Sequence, residues 1–379
     1  MRILHTSDWH LGRTFHRESL LEGQAAFVDH LVETVRAEKV DVVAVAGDVY
    51  DRALPPVDAV TLLNEAFERV AALGVRIVAI SGNHDSARRL GFGSALLHHA
   101  GVHLRTDPAG AWQPVVIDDV AFYGIPYLEP ELVRTPWELE ERTHTAALTH
   151  AMSRVRADAV RHSRSVVLAH AFVTGGEASD SERDISVGGV AHVPLTAFDG
   201  VDYVALGHLH GRQRMSETIR YSGSPLAYSF SEVNQVKGSW LVTLGAGSAS
   251  GPGSTSGPEF VPAPVPRPIG RLRGDLHDLL TDPRHDRYTG HWLQVILTDP
   301  VRPKAAMERL RERFPHTLAL SFDPVGGTGK PALAPLNGRP ASEVALDFVR
   351  EVRGEAASGD EEHLLRQAIE ASRIKEAMA

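Results

Sequence analysis

Two stacked mixed β-sheets flanked by helices, an α/β class, followed by a small C-terminal α+β cap and a helical tail: this is the architecture the sequence predicts. Three observations predict it. Short apolar runs alternate with amphipathic segments through the first 245 residues. Five of those runs stop at polar residues able to bind a cation, as strand tips do along the carboxyl edge of an open sheet. Gly, Ser and Pro then dominate residues 246–268, and Gly and Pro recur over 327–341, compositions with little to bury.

The five runs are Ile3 to Thr6, Val40 to Ala46, Val75 to Ile80, Val166 to Ala169 and Val201 to Leu206. Each is about strand length, and Val and Ile dominate several of them. Between them, Ala26, Phe27, Leu31 and Val35, then Val57, Val60, Leu63, Phe67 and Val70, recur every three or four residues, so each segment has one apolar face to lay on a sheet. Val120 to Ile125, Ile219 to Ser222 and Trp240 to Leu244 read as further strands, enough for a second sheet. The expected division is a domain over 1–245, a flexible linker over 246–268, a cap over 269–326, a second linker over 327–341 and a helical hairpin over 342–379. Within the cap, Trp292 to Leu297, Lys304 to Phe314 and Thr317 to Phe322 read as strand, helix and strand. The hairpin carries Val344, Leu346, Phe348 and Val349 on one helix and Leu364, Leu365, Ile369 and Ile374 on the other. Two readings stand side by side: the hairpin receives a partner, or it packs on its own cap.

The composition sets bounds on function. With 43% hydrophobic and 23% charged residues the chain can bury a core. No apolar run reaches the roughly 18 residues that span a bilayer, and the N-terminus reads as a strand instead of a signal peptide, so a cytoplasmic location without membrane contact is expected. Zero cysteines leave imidazole, carboxylate and amide groups as the available metal ligands. A net charge of −9 excludes coating nucleic acid by bulk electrostatics, so any DNA contact is local.

The chemistry sits at the strand tips. Asp8-Trp9-His10, Gly47-Asp48, Gly82-Asn83-His84-Asp85, His170 and Gly207-His208-Leu209-His210 follow the five runs in order. One Asp-x-His or His-x-His pair means little in a histidine-rich chain; the ordered set supplies seven oxygen and nitrogen donors, Asp8, His10, Asp48, Asn83, His170, His208 and His210. Seven such donors suit two octahedral cations that share one carboxylate. Mixed imidazole and carboxylate donors disfavour magnesium and permit manganese, iron or zinc.

That ordered set resembles the calcineurin-like metallophosphoesterase family, whose fold is an αββα sandwich. Within the family, Arg2-Ile3-Leu4-His5-Thr6-Ser7-Asp8-Trp9-His10-Leu11-Gly12, Asp202 to His210 and Tyr221-Ser222-Gly223-Ser224-Pro225 are most similar to the nuclease subunits of DNA repair and recombination complexes. The resemblance implies one metal on Asp8, His10, Asp48 and His210, a second on Asp48, Asn83, His170 and His208, and Mn2+ as the ion. It also implies exonuclease action on duplex ends and endonuclease action on hairpins and single strands. The expected chemistry is in-line hydrolysis at phosphorus with both ions neutralising the developing charge. His84 would donate to the phosphate or the leaving oxygen, with Asp85 orienting it. Some relatives carry a histidine where this chain has Asp51; for Asp51 a helix cap or a pair with Arg52 is as good a reading as a place near the site.

The same resemblance implies a coiled-coil ATPase partner docked on the C-terminal helices, with ATP acting only through that partner, since this chain lacks a Gly-x-x-x-x-Gly-Lys-Ser/Thr loop. It implies a homodimer formed by the segments at 57–73 and 86–99. Arg13, His16, Arg52, Arg88 and Arg89 lie within or just after the metal motifs and are the expected DNA contacts along the rim, although a solvated charge is the simpler reading of any one alone. His5, His98, His99 and His192, outside the motifs, are expected to be structural, and Trp9 and Tyr50 to pack in the core. Two rival functions remain: a phosphoesterase of the same fold acting on a cyclic nucleotide or phosphoprotein, and an inactive scaffold that holds a partner on DNA. The extra 130 residues of cap, linker and tail weigh against the first, and the complete donor set against the second.

Overall fold

Side chains in one strand alternate between its two faces, and that alternation sorts this chain into layers. The computed structural model describes residues 1–183, 185, 192–245, 255–324, 341–353 and 355–377. Among them, one sheet has the strand order Thr255–Pro262, Gly238–Leu244, Arg2–Thr6, Val42–Ala46, Arg76–Ile80, Val102–Arg105. The second runs Gln213–Arg214, Ile219–Tyr221, Tyr203–Gly207, Arg164–His170, Val120–Ile125, Val115–Ile117. Both are mixed. From Arg2–Thr6 to Val102–Arg105 the strands are parallel, as they are from Val120–Ile125 to Ile219–Tyr221, and the flanking strands are antiparallel.

In Val42–Ala46, Val42 and Ala44 join Val78, Ile80, Phe122, Val166 and Leu168 in the layer between the sheets. Val43 and Val45 point the other way, onto Phe27, Leu31, Val35, Leu63 and Val70 of the helices Leu21–Ala37 and Val57–Ala71. Arg164–His170 does the same on the other side: Val167 and Ala169 meet Leu148, Ala151, Met152 and Val155 of the helix His144–Ala159. Each buried Val, Leu or Phe contributes about 1.5–3 kcal/mol of transfer free energy, so both faces of both sheets are covered and neither can slip by one residue without exposing a row of apolar side chains.

The parallel strands all end at the same edge, which brings Thr6, Ala46, Ile80, His170 and Gly207 close together. The backbone then binds across the gap: Asp8 N donates to Gly47 O at 3.0 Å, His10 N to Asp48 O at 3.0 Å and Leu11 N to Val49 O at 2.9 Å.

Three features differ from the sequence expectation. The linker expected over 246–268 contains an edge strand, Thr255–Pro262, paired antiparallel with Gly238–Leu244. Backbone pairing requires no apolar pattern, and an edge position tolerates Pro258; the composition therefore concealed it. Residues 246–254 of that linker, and 327–340 of the second, lie outside the described residues. The cap contains a further strand, Ile269–Gly274, beside the expected Trp292–Leu297 and Thr317–Phe322 in a three-stranded sheet. Its Arg271 and Arg273 are exposed on either side of buried Leu272, and such a short run with two glycines falls below a strand signal. Most of the cap, up to Leu297 and over Lys304–Ser321, also belongs to the same compact unit as the first 245 residues: Ile269, Trp292 and Leu318 pack on Phe15, Tyr228 and Phe230. The helices Ala341–Arg353 and Gly359–Ala377 fall in a second unit with Thr298–Pro303 and the described residues from Phe322 onward, and Arg353 joins the two helices through Glu361 at 2.6 Å.

Among the described residues no helix is long and apolar enough to cross a membrane.

Candidate metal centre

All seven expected donors meet at the strand tips. Asp8, His10 and His210 present ligand atoms within 4.8 Å of one another, as do Asp8, Asp48 and His170. Asn83 Oδ1 lies 3.0 Å from His170 Nε2 and 3.2 Å from His208 Nδ1. Asp48 stands between the two groups, with Oδ2 at 3.6 Å from His10 Nε2 and 3.5 Å from His170 Nε2. Apart from Asn83, which is partly exposed, every one of the seven is buried.

The local backbone is bent to aim them. Asp8, His10, Asp48 and His208 adopt φ of +53°, +44°, +48° and +104°, a region that costs a non-glycine residue roughly 1–3 kcal/mol and persists only where surrounding bonds impose it. Those bonds are present: His208 N donates to both Asp8 carboxylate oxygens at 3.0 and 3.2 Å, and His84 N donates to Asp48 Oδ1 at 2.8 Å. The glycines serve two purposes. Gly47, at φ +91°, makes a left-handed turn. Gly82 and Gly207 are needed for close approach, because a Cβ would lie 2.1 Å from Asp48 Oδ1 and 1.9 Å from Ala46 O respectively.

The electrostatics call for cations. Asp8 and Asp48 are fully desolvated, and among the described residues no lysine or arginine side chain hydrogen-bonds to either. Burial raises Asp8 to about 6, against the pull of His170 and His210. Burial would raise Asp48 too, yet His170, His10 and His84 together hold it well below the carboxylate range. Burial opposes charge on His170, but Asp48 and Asp8 overcome it and lift the ring to about 9. His10 and His208 are pushed down by burial, His208 to about 3. His10 Nε2 faces His210 Nε2 at 3.0 Å, and His10 Nδ1 is buried without a hydrogen-bond partner. Two imidazole nitrogens facing each other beside two buried carboxylates to which no described lysine or arginine is bonded fit a bound divalent ion.

Around the donors, the expectation for Asp85 is corrected. Its carboxylate accepts from the backbone N–H of Tyr50 at 2.8 Å, Gly82 at 2.9 Å and Val49 at 3.0 Å, so it ties two metal-bearing loops together. His84 is instead oriented by Asp51, whose carbonyl receives Nδ1–H at 2.7 Å. Asp51's own carboxylate lies 3.6 Å from His10 Nδ1 and 3.4 Å from Arg13 Nη1, which places it beside the site and not in a pair with Arg52. Arg13 is a brace and not a free rim residue: it donates to Ser181 O at 2.9 Å and lies 4.9 Å over the Tyr228 ring. His16 packs its ring near Phe15 and Phe230. Arg52, Arg88 and Arg89 lie at the surface, Arg89 donating to Ala53 O at 3.1 Å. Trp9 is buried against Phe27 and Phe67, and Tyr50 is buried. His5 is a core residue bonded to Tyr203 Oη at 3.0 Å. His98 meets His103 at 2.9 Å.

Sequence reasoning missed the residues behind His210. Ser181, Glu182, Glu232 and Lys237 all reach it or its backbone. None lies in a donor motif; the nearest sequence signal was Tyr221-Ser222-Gly223-Ser224-Pro225, which leads into the loop of Glu232 and Lys237.

Two stretches of the chain match family models. Residues 1–212 match the calcineurin-like phosphoesterase family, and residues 265–352 match SbcD_C, described as the type 5 capsule protein repressor C-terminal domain. Among solved structures, TT1561 of Thermus thermophilus is 11% identical at a TM-score of 0.36, covering 59% of this chain and 89% of its own. A dimetal phosphatase from Danio rerio is 14% identical at a TM-score of 0.39, covering 64% of this chain and 92% of its own. With more than half its length matched and a buried cation-binding cluster at the expected strand tips, the chain belongs to the calcineurin-like phosphoesterase family of metal-dependent hydrolases, and the added SbcD_C domain is consistent with an SbcD-type nuclease subunit.

Proposed function

We propose that this chain is the nuclease subunit of an SbcCD-type complex, cutting duplex DNA ends as an exonuclease and hairpins and single strands as an endonuclease during repair and recombination in the cytoplasm. The reading rests on one observation: seven donors converge at the strand tips of a phosphoesterase fold that is followed by an SbcD_C domain.

Asp8, His10, Asp48 and His210 would hold one divalent ion, and Asp48, Asn83, His170 and His208 the other, with Mn2+ as the native metal. When bound, the pair supplies Lewis-acid neutralisation of phosphate charge and lowers the pKa of a coordinated water. The protein's own groups orient and exclude. Asp85 locks the loops of Asp48 and Asn83, Tyr228 and Trp9 are buried beside the donors, and His84 turns Nε2 towards Asp48, 4.0 Å away. Arg52, Arg88 and Arg89, exposed at the surface, would meet a phosphate backbone, which suits local DNA contact on a chain of net charge −9.

The tail is the proposed seat of an SbcC-type coiled-coil ATPase: Phe348, Val352 and Leu364 stay mostly exposed on its two helices, and ATP would act through that partner alone. A second copy of the chain is the proposed occupant of the face bearing Val57, Phe92 and Leu96, each more than three-quarters exposed. Replacing Phe92 and Leu96 by Glu should convert a dimer into a monomer by light scattering; a wild-type chain that is already monomeric at micromolar concentration sinks this part.

The decisive assay uses hairpin and blunt duplex DNA with Mn2+, with and without the ATPase partner. Mn2+-dependent release of nucleotides and hairpin opening are expected. Hydrolysis of a cyclic nucleotide with DNA left intact in both conditions would overturn the proposal in favour of a small-substrate phosphoesterase.

A further inference from the structure

We propose that the buried Glu232–Lys237 pair is a positioning device for the metal centre, acting through Ser181 to fix the tautomer and aim of His210. The inference rests on the reading of His210 as a metal ligand.

His210 faces the site with Nε2 and turns Nδ1 away from it, where Ser181 Oγ waits at 2.5 Å. Ser181 Oγ is in turn 2.5 Å from Glu232 Oε1, and the other Glu232 oxygen is bonded to Lys237 Nζ. With Nε2 as a metal donor, the protons run in one direction. For Nε2 to offer a lone pair to a cation, Nδ1 must carry the hydrogen, which it donates to Ser181 Oγ; the hydroxyl then donates to Glu232 Oε1. A carboxylate at the end of the chain enforces that direction, because an ionised carboxylate only accepts.

Lys237 completes the arrangement. It is buried, and its three N–H groups face four acceptors: Glu232, His210 O at 2.8 Å, Ser224 Oγ at 3.0 Å and Gln235 Oε1 at 2.7 Å. One residue thus holds both the backbone of His210 and the carboxylate that orders its ring. Glu182 adds a third hold, Oε1 accepting from His210 N at 2.8 Å. Two opposite charges buried side by side are an expensive way to pin a loop if packing alone were needed, since apolar residues of similar volume would serve as well. What an apolar pair cannot do is set a histidine tautomer.

The test is Mn2+ binding to the full chain by titration calorimetry, with the electron paramagnetic resonance spectrum of bound Mn2+ and the thermal midpoint of the metal-free protein measured alongside. Three variants separate the roles: Ser181→Ala cuts the relay and leaves the ion pair, Glu232→Gln removes the charge, and Glu232→Gln with Lys237→Met removes both charges together. Wild type should bind two Mn2+. Ser181→Ala and Glu232→Gln should each weaken one of the two binding steps about 10–100-fold and leave the other unchanged. The double variant should regain thermal stability relative to Glu232→Gln while its weak step stays weak. Recovery of Mn2+ affinity together with stability in the double variant would reduce the pair to a loop clamp, and wild-type affinity at both steps in Ser181→Ala would remove the relay. If wild type itself binds no Mn2+, the metal reading of the site falls first, and this inference with it.

Discussion

Asp48→Asn should lower DNA cleavage at least about a thousand-fold while leaving the fold intact. The substitution is isosteric, and the remaining carbonyl can still accept from His84 N, the bond that Asp48 Oδ1 makes at 2.8 Å. What it removes is the charge placed 3.6 Å from His10 Nε2 and 3.5 Å from His170 Nε2, a position from which one carboxylate faces both donor groups. An amide has a single good ligand oxygen and no charge, so both proposed cations lose their shared anchor. Cation stabilisation of phosphoryl transfer is worth several kcal/mol, and about 4 kcal/mol corresponds to a factor near a thousand. Calorimetry should find fewer than two Mn2+ per chain. Two bound Mn2+ and cleavage within tenfold of wild type would show that Asp48 bridges nothing.

The parts of the molecule that were legible in the sequence share one property: their signal is local. Gly82-Asn83-His84-Asp85 packs a turn, a ligand, a candidate acid and a backbone acceptor into four residues, so its place at a strand tip could be read before any fold was known. The continuous apolar run of Val42–Ala46 carries the same kind of signal. What escaped was non-local or unpatterned. The helix His144–Ala159 buries Ala147 and Ala151 alongside Leu148, Met152 and Val155, and alanines blur an apolar stripe. Thr255–Pro262 is held by backbone pairing in a Gly, Ser and Pro run. The part of Asp85 was misassigned because sequence adjacency suggested that it would serve His84, whereas the turn at Gly82 points its carboxylate back into three amides and the Asp51 carbonyl takes His84 instead. Glu232 and Lys237 follow His210 at a distance along the chain, in an irregular loop, and their importance arises only from the contact.

His84→Ala should keep both Mn2+ sites and lower the cleavage rate by about 10²–10⁴-fold, the range for loss of a positioned acid or base. The side chain holds no assigned donor position, and its Nδ1–H is committed to the Asp51 carbonyl at 2.7 Å. The neutral ring therefore offers only a lone pair at Nε2; it can donate there only as an imidazolium. Burial pushes its pKa down, with Asp48 and the Asp51 carbonyl acting in the opposite direction, so the second proton must be held by an arriving anionic phosphate. This separates proton donation from mere hydrogen bonding. His84→Gln can place an N–H near the phosphate but cannot give up a proton, so it should be nearly as impaired as His84→Ala. A thymidine nucleotide ester with a p-nitrophenolate leaving group departs without being protonated, and on that substrate the defect of both variants should shrink to a few-fold. An equal defect on both substrates would assign His84 to phosphate binding, and full DNA cleavage by His84→Ala would leave it with no part in the reaction.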